Sequence, residues 1–437
     1  MNNLVLSWNE NVSAQVKAAR KQGYQVYVEV PLDQATGVAE TASGLAGIIL
    51  RAPASKSGEL EKSLPKLQSA HPKLRFVVLD PDGKRPEMRG SLVIKRNSVL
   101  EVSSPTAQPW IDSNLALVKV EQRSNPAQVP MYTFSWGGDS GQQQPALTAE
   151  DYSLAVAEAG ACHADLMLEL EDRLQKGLID HDPQARALWR QVRSYAGFYS
   201  HAAEQAMEAA ATVAVVVDDF DPSDEVMNLL ARHNIPFQVL RPADLQSADL
   251  RGFDVIAVFA KPDRPACERM GELAKLGKTV VLVDAHGSYP WQNDQPVRVN
   301  EHVLSYAVGK GKVLELAEPV TDPETFAQDI RRLLGTQNVL MNLWNGLTTI
   351  AVPYREHSGT VKVLELINYS GDPLRLQVQV KGTFASIRYE TAGHACCESL
   401  VPVKHNGFTE FVIPELQIAG RVHLEANPGP DSQPSPR

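Results

Sequence analysis

The spacing of apolar residues changes twice along this 437-residue chain, and these changes constrain its fold more than any single motif does. Over about the first 200 residues, short apolar segments alternate with amphipathic ones, a pattern typical of βα units. A second and more compact βα set begins at Thr212, and only short strand-like segments and turns follow Val339. The sequence therefore predicts an α/β multidomain protein with three successive folded regions.

The first region, residues 1–211, is predicted to contain parallel strands covered on both faces, because its strands are almost entirely apolar. About seven or eight strands in about 200 residues suit a small or incomplete (β/α)8 TIM barrel better than an open sheet. The expected strands are Leu4–Trp8, Gln25–Val30, Ala46–Leu50, Leu74–Leu79, Ser91–Lys95, Val99–Val102, Val129–Trp136 and Asp165–Glu169. The expected helices include one from Val12 that Gly23 ends, Ile111–Gln122, Thr148–Ala161 and Ala185–Ala211.

The second region, residues 212–338, repeats strand and helix more regularly and predicts a doubly wound, flavodoxin-like sheet of five strands. These strands are Val213–Val217, Phe237–Leu240, Val255–Phe259, Thr279–Val283 and Lys312–Leu316. The third region, residues 339–426, has seven short strands separated by turn signals such as Asn406-Gly407, which predicts a β-sandwich. Residues 427–437 are rich in proline and polar residues, and we expect them to be disordered.

Charge and composition exclude several classes of partner. A net charge of -10 argues against a nucleic-acid-binding surface, which is normally basic. No apolar run approaches the roughly 20 residues that cross a bilayer, so a membrane is not an expected partner. Met1–Trp8 lacks the basic segment and apolar core of a signal peptide, and the compartment stays open.

The four cysteines are too sparse for a disulfide scaffold. Cys396 and Cys397 are adjacent and would point to opposite faces of an extended strand, so we expect no bond between them. Together with His394 and His405 they are the main cluster able to bind a metal, but the Cys-x2–4-Cys spacing of zinc sites is missing. We therefore expect two strands here and neither a metal nor a cofactor.

Two motifs support a family resemblance. The segment Val308–Leu316, which contains Gly-Lys-Gly, precedes Asp322–Ala327, and Val363–Tyr369 reads Val-Leu-Glu-Leu-Ile-Asn-Tyr. With the order of the three regions, they resemble the β-galactosidases of glycoside hydrolase family 42. That resemblance implies a TIM barrel, an amidotransferase-like α/β domain and a terminal β domain. It also implies a saccharide ligand at the barrel mouth, and other domains that brace the barrel or build a homo-oligomer.

Acidic residues at strand ends are the catalytic candidates, because glycoside hydrolysis requires two carboxyl groups and barrel sites lie at the carboxyl ends of strands. The candidates are Glu10, Glu29, Asp80 and Glu169, with Asp82, Asp139 and Glu171 also at strand ends. The family that the chain resembles uses a glutamate after an asparagine as acid/base. A second glutamate, at a later strand end, is its nucleophile. Here Asn9-Glu10 follows the first strand, and Met131–Trp136 runs into Gly-Gly-Asp139. These departures predict a distant or inactive relative, or one that lacks an initial barrel segment. An acid facing solvent or paired with Arg51 is the alternative interpretation for each carboxylate.

Aromatic and polar residues near the same strand ends are the candidates for saccharide binding, because indole rings pack on sugar faces. They are Trp8, Asn9, Arg51, Trp110, Asp112 and Trp136. For Asp112 and Trp110 the alternative is a helix cap with a packed ring.

Two rival functions remain at this point. The first is a non-catalytic carbohydrate-binding or scaffold protein that retains the barrel. The second is an enzyme whose site lies in the middle region near Asp218, Asp219, Lys261 and His286. Cys267 lacks the flanking glycines of an amidotransferase nucleophile, which argues against that chemistry.

Overall fold

The computed structural model of the protein describes residues 3–9, 11–41, 43–51, 56–79, 88–89, 95–96, 99–100, 113–124, 131–135, 147–200, 206–218, 223–293, 295–356, 359–370, 372–394 and 396–426. Predictions for residues 91–94, 101–102, 129–130, 136 and the tail 427–437 lie outside these residues. Among the helices within them, none is both long and apolar enough to cross a bilayer.

Four parallel strands open the fold and lie in chain order in one sheet: β1 (Asn3–Ser7), β2 (Gln25–Pro31), β3 (Gly47–Arg51) and β4 (Arg75–Leu79). The connecting helices are α1 (Val12–Lys21), α2 (Ala35–Thr41) and α3 (Ser57–Ala70). Helix α1 stops just before Gly23, whose φ of 89° is readily adopted by glycine and whose N–H donates to the Arg20 carbonyl.

The two faces of this sheet have different neighbours. Val28 and Ile48 pack with the connecting helices, whereas Tyr27 and Ile49 face the other side. Gly47 makes room for the Tyr27 ring, since a Cβ at this position would lie 2.2 Å from the Arg75 carbonyl oxygen and 2.8 Å from the ring.

The rest of the first region contributes short strands and four helices to the described residues. Strands β5 (Met88–Arg89), β8 (Met131–Ser135) and β9 (Asp165–Met167) form a parallel sheet, and β6 (Lys95–Arg96) pairs with β7 (Val99–Leu100). The helices are α4 (Leu115–Ser124), α5 (Ala149–Ala161), α6 (Asp172–Ile179) and α7 (Pro183–Phe198).

The single helix expected over 185–211 is wrong in its second half. Helix α7 ends at Phe198, and β10 (Glu208–Ala209) pairs with a strand of the third region. Ala210 and Ala211 are buried beside it. Alanine favours a helix locally, but pairing with a distant strand overrides that preference here.

The middle region forms one seven-stranded sheet. Its strands are β11 (Val213–Val216), β12 (Phe237–Leu240), β13 (Val255–Val258), β14 (Thr279–Leu282), β15 (Val297–Arg298), β16 (Val303–Val308) and β17 (Gly311–Leu316). The five expected strands are parallel in the order β12-β11-β13-β14-β17, the strand order of flavodoxin-type sheets. The helices are α8 (Asp224–Arg232), α9 (Asp244–Ser247), α10 (Arg264–Lys275) and α11 (Pro323–Asn338). The Gly-Lys-Gly segment is a hairpin between β16 and β17, as predicted.

The third region consists of two antiparallel sheets that share a core. Their strands are β18 (Met341–Trp344), β19 (Thr349–Arg355), β20 (Val361–Asn368), β21 (Leu374–Lys381), β22 (Phe384–Thr391), β23 (Glu398–Leu400), β24 (Val403–His405), β25 (Phe408–Leu416) and β26 (Ala419–Ala426). One sheet has the order β10-β19-β20-β26-β22-β23 and the other β18-β21-β25-β24. Leu364 of the first sheet and Val378 of the second lie in the same apolar cluster.

The three regions are in contact. Buried Glu158 of α5 accepts hydrogen bonds from the Asn114 N–H and from the Tyr369 hydroxyl at 3.0 Å. Asn368, which precedes that tyrosine, donates to the Asp372 and Gln417 carbonyls and accepts from Thr348. Tyr369 therefore joins the third region to the first, and the neighbouring Asn368 makes its contacts within the third region.

Candidate functional site

The inner face of the first sheet meets a strand of the other parallel sheet. Tyr27, Ile49 and Val77 form one buried cluster with Met167 of β9. Arg75, at the start of β4, donates to the Asp165 carboxylate at 3.0 Å. Side chains from the two sheets therefore pack together in one small apolar cluster.

The strand register shows which residues of neighbouring strands lie side by side. Glu29 of β2 is in register with Ile49 of β3, and Ile49 with Val77 of β4. Asp165 contacts Arg75 of β4, and Met167 shares the apolar cluster that contains Ile49 and Val77. Glu169 follows Met167 by two residues and lies just beyond the carboxyl end of β9.

Glu29 lies two residues before the end of β2 and Glu169 two residues after the end of β9, so each is near the carboxyl end of its own strand. Glu29 is half-buried and alternates with Val28 and Val30, which face the helices. Glu169 is exposed just beyond β9. Parallel strands that carry carboxylates at their carboxyl ends are the arrangement in which barrel enzymes build their sites.

Of the other predicted site residues of the first region, Trp8, Asn9 and Glu171 have described side chains, and the rest do not. Trp8 packs with the helix-side cluster, opposite to Glu29, and Asn9 makes local contacts with Ser7 and Asn11 near the start of α1. Arg51 ends β3, in register with Pro31 and Leu79, but its side chain lies outside the described residues, as do Glu10, Asp80, Asp82, Trp110, Asp112, Trp136 and Asp139.

Glu171 has a structural role. Its carboxylate accepts from the Leu147 N–H at 3.1 Å, and its own N–H donates to the Tyr152 hydroxyl at 3.0 Å. It immediately precedes α6 but does not cap that helix with its side chain, and its contacts hold the segment before α6 against Tyr152 of α5 and against Leu147, which precedes α5.

The middle-region candidates lie at the carboxyl ends of its strands. His286 pairs with Asp284 at 3.0 Å, but both side chains are more than half exposed. Asp218 and Lys261 are exposed as well, and Asp219 lies outside the described residues. Cys267 is buried in α10, where burial raises the pKa of its thiol, so it is poorly suited to act as a nucleophile.

The β-sandwich contains a buried charged network that was not predicted from the sequence. Arg421 of β26 donates to Glu365 of β20 at 2.5 Å and to Glu390 of β22 at 2.9 Å. Its guanidinium lies over the Phe198 ring of α7, 4.6 Å from the centroid. The available signal was the position of each charge between uncharged neighbours, Glu365 between two leucines and Arg421 between Gly420 and Val422. Charged residues at such positions are rarely buried without a partner.

The expectation for the cysteine pair is wrong. Cys396 and Cys397 precede β23 in a bend and are joined by a disulfide, so the extended geometry assumed for them does not apply. His405 is exposed in β24 and contacts Asn406. Cys397 instead lies near Glu390 and His423, which are far apart in sequence.

Comparisons with known proteins support the fold. No protein-family model matches the chain, and no curated protein matches its sequence. The structure of α-L-fucosidase isoenzyme 2 from Paenibacillus thiaminolyticus matches with a TM-score of 0.59 and 13% identity, covering 95% of this chain and 90% of that one. A rhamnosidase from Novosphingobium sp. PP1Y matches with a TM-score of 0.53 and 12% identity, covering 87% of this chain and 40% of that one. At these identities the matches show a glycosidase-like, multidomain α/β fold.

Proposed function

We propose that the protein is a glycoside hydrolase that binds its saccharide at the carboxyl ends of the first-region strands. These strands belong to a small or incomplete TIM barrel with its helices outside. The observation that supports the barrel most directly is the packing of Met167 against Tyr27, Ile49 and Val77. Barrel interiors are filled in this way by layers of side chains from different strands.

The glycosidase-like fold and the position of the carboxylates support the activity. Among the described candidates, Glu29 and Glu169 each lie near the carboxyl end of a first-region strand, and we assign the two catalytic acids to them. One carboxyl group would protonate the leaving oxygen, and the other would attack the sugar or activate a water molecule. Glu10 and Asp80 remain candidates by sequence. Asp80 directly follows β4, and Glu10 comes three residues after the end of β1.

The test compares Glu29→Gln and Glu169→Gln with the wild type over a panel of aryl glycosides. Each substitution keeps the size of the side chain and removes its ability to transfer a proton or act as a nucleophile. We expect turnover of the accepted glycoside to fall by at least about 100-fold, the lower end of the effect of general acid–base catalysis. Glu61→Gln is the matched control, because Glu61 is an exposed glutamate of α3.

Binding must be measured beside turnover. If the two glutamine variants lose turnover while calorimetry still detects sugar binding, the catalytic assignment is supported. If the wild type binds saccharides and cleaves none of them, the protein is instead a non-catalytic carbohydrate-binding relative. Full turnover by both variants would remove Glu29 and Glu169 from the mechanism and direct attention to Glu10 and Asp80.

A further inference from the structure

Three residues with metal-binding side chains meet on the outer face of the β-sandwich. Strands β22 and β26 are paired, with Glu390 opposite Arg421 and Arg388 opposite His423, so Glu390 and His423 are diagonal neighbours. Cys397 approaches from the bend before β23, which pairs with the other edge of β22. The sheet therefore brings together groups that are separated by up to 33 positions in the chain (423 − 390).

The distances match a small coordination sphere. The His423 Nε2 atom lies 3.3 Å from Glu390 Oε1, and Cys397 Sγ lies 3.8 Å from Glu390 Oε2. One ligand atom from each residue can be chosen so that all three lie within 4.8 Å of one another. Ligand atoms at about 2.0–2.3 Å from a tetrahedral zinc are ~3.3–3.6 Å apart, so small side-chain adjustments suffice.

The local charge suits a divalent cation. Glu365, Glu390 and a Cys397 thiolate would contribute three negative charges, and Arg421, which binds both glutamates, contributes one positive charge. A divalent ion would bring the sum to zero. Without that balance the neighbouring guanidinium would oppose a cation.

One of the three residues borders a cleft. Glu390 lines a cleft of about 460 Å³ between α7 and the sandwich, together with Tyr195, His394 and Glu398. Three protein ligands and an open fourth position are the pattern of zinc sites that bind water or a further ligand.

We propose that Glu390, Cys397 and His423 bind Zn²⁺ when the Cys396–Cys397 disulfide is reduced. Reduction by a phosphine consumes one water molecule, converts the phosphine to its oxide and leaves two thiols. Zinc then displaces the proton of the Cys397 thiol, which is released to solvent. The oxidised pair lacks the thiolate and binds zinc more weakly, so the site is sensitive to redox state.

The test uses the two cysteines as a matched pair. Cys396→Ser and Cys397→Ser both remove the disulfide, but only the second removes the ligand. Each purified full-length variant is titrated with Co²⁺ and followed by absorption, then with Zn²⁺ by calorimetry. Wild-type protein is titrated before and after phosphine treatment. His423→Gln tests the second ligand, and His405→Gln is its control on exposed β24.

We expect Cys396→Ser to bind one cobalt ion with a thiolate-to-metal charge-transfer band that zinc abolishes. Cys397→Ser should lack that band, and zinc affinity should fall at least tenfold, about 1.4 kcal/mol, in Cys397→Ser and His423→Gln. His405→Gln should behave as the wild type, which should bind zinc more tightly after reduction and show the charge-transfer band with cobalt only then. Equal cobalt spectra and zinc affinities for the two serine variants would overturn the proposal. So would a folded Cys396→Ser protein, verified by circular dichroism, that gives no charge-transfer band.

Discussion

Replacing Arg421 with methionine should destabilise the protein by about 3–5 kcal/mol, because it leaves a buried carboxylate without its counter-ion. The Arg421 and Glu365 side chains are 3% and 1% exposed, and their closest atoms are 2.5 Å apart. Methionine is unbranched and fills much of the space beside Phe198, so the loss of charge dominates the effect. The estimate refers to removing one partner; it is not the net value of the ion pair.

A matched control lies in the same sheet. Arg388 of β22 contacts Glu425 of β26 at 2.9 Å, but these side chains are 46% and 54% exposed. Water solvates both charges there, and an exposed pair contributes about 0–1 kcal/mol. Arg388→Met should therefore have little effect, although the two arginines make similar contacts with carboxylates.

Differential scanning calorimetry is the suitable assay, since it separates the transitions of a multidomain protein. For a cooperative unit of 150–250 residues, 3–5 kcal/mol corresponds to a shift of roughly 6–20 °C in Tm. The double variant Glu365→Leu with Arg421→Met should recover much of the loss, because it removes the unpaired charge. Equal shifts for Arg421→Met and Arg388→Met, or a double variant no more stable than Arg421→Met, would refute the reasoning.

The same network predicts a pH dependence. Burial acts to raise the pKa of Glu390, but the hydrogen bond from His423 and the charge of Arg421 outweigh it and hold that pKa below its usual value. The stabilisation is therefore present above the unfolded-state pKa of about 4.3 and is lost as pH falls through the lower folded-state value. The difference in Tm between wild type and Arg421→Met should narrow on acidification below about pH 4.

Two further outcomes follow from buried polar groups. Asn368→Asp should destabilise the protein by at least ~3 kcal/mol, measured by calorimetry. The reason is that a carboxylate would face the Asp372 and Gln417 carbonyls to which the amide now donates. An unchanged Tm would contradict the assigned amide orientation. Burial lowers the pKa of His163 from 6.5 to about 4, so the unfolded chain binds its proton first and stability should fall by ~3 kcal/mol between those pH values. His163→Asn, which suits the φ of 55°, should remove that loss, and an NMR titration of His163 near pH 6.5 would disprove it.

The sequence predicted part of the candidate site because strand alternation is local. Once Val28 and Val30 of β2 are assigned to the helix side, Glu29 must face the other way. The same alternation groups Trp8 with Leu4 and Leu6, but only the packing shows that this face of β1, and not the face of Val5, lies against the helices. The side that each strand presents to its neighbours is decided by packing.

Local periodicity determined the type and approximate limits of most elements, from the parallel strands of the middle region to the hairpin at Gly309. Tertiary structure alone decided which distant groups meet: the pairing of β10 with β19, the contact of Met167 with the first sheet, and Arg421 between two glutamates. The physical reason is that the hydrophobic period of a strand or a helix, two or 3.6 residues, is set by a few residues that are close together in the chain. The partner of a buried charge or strand edge depends on the free energy of the whole packed arrangement.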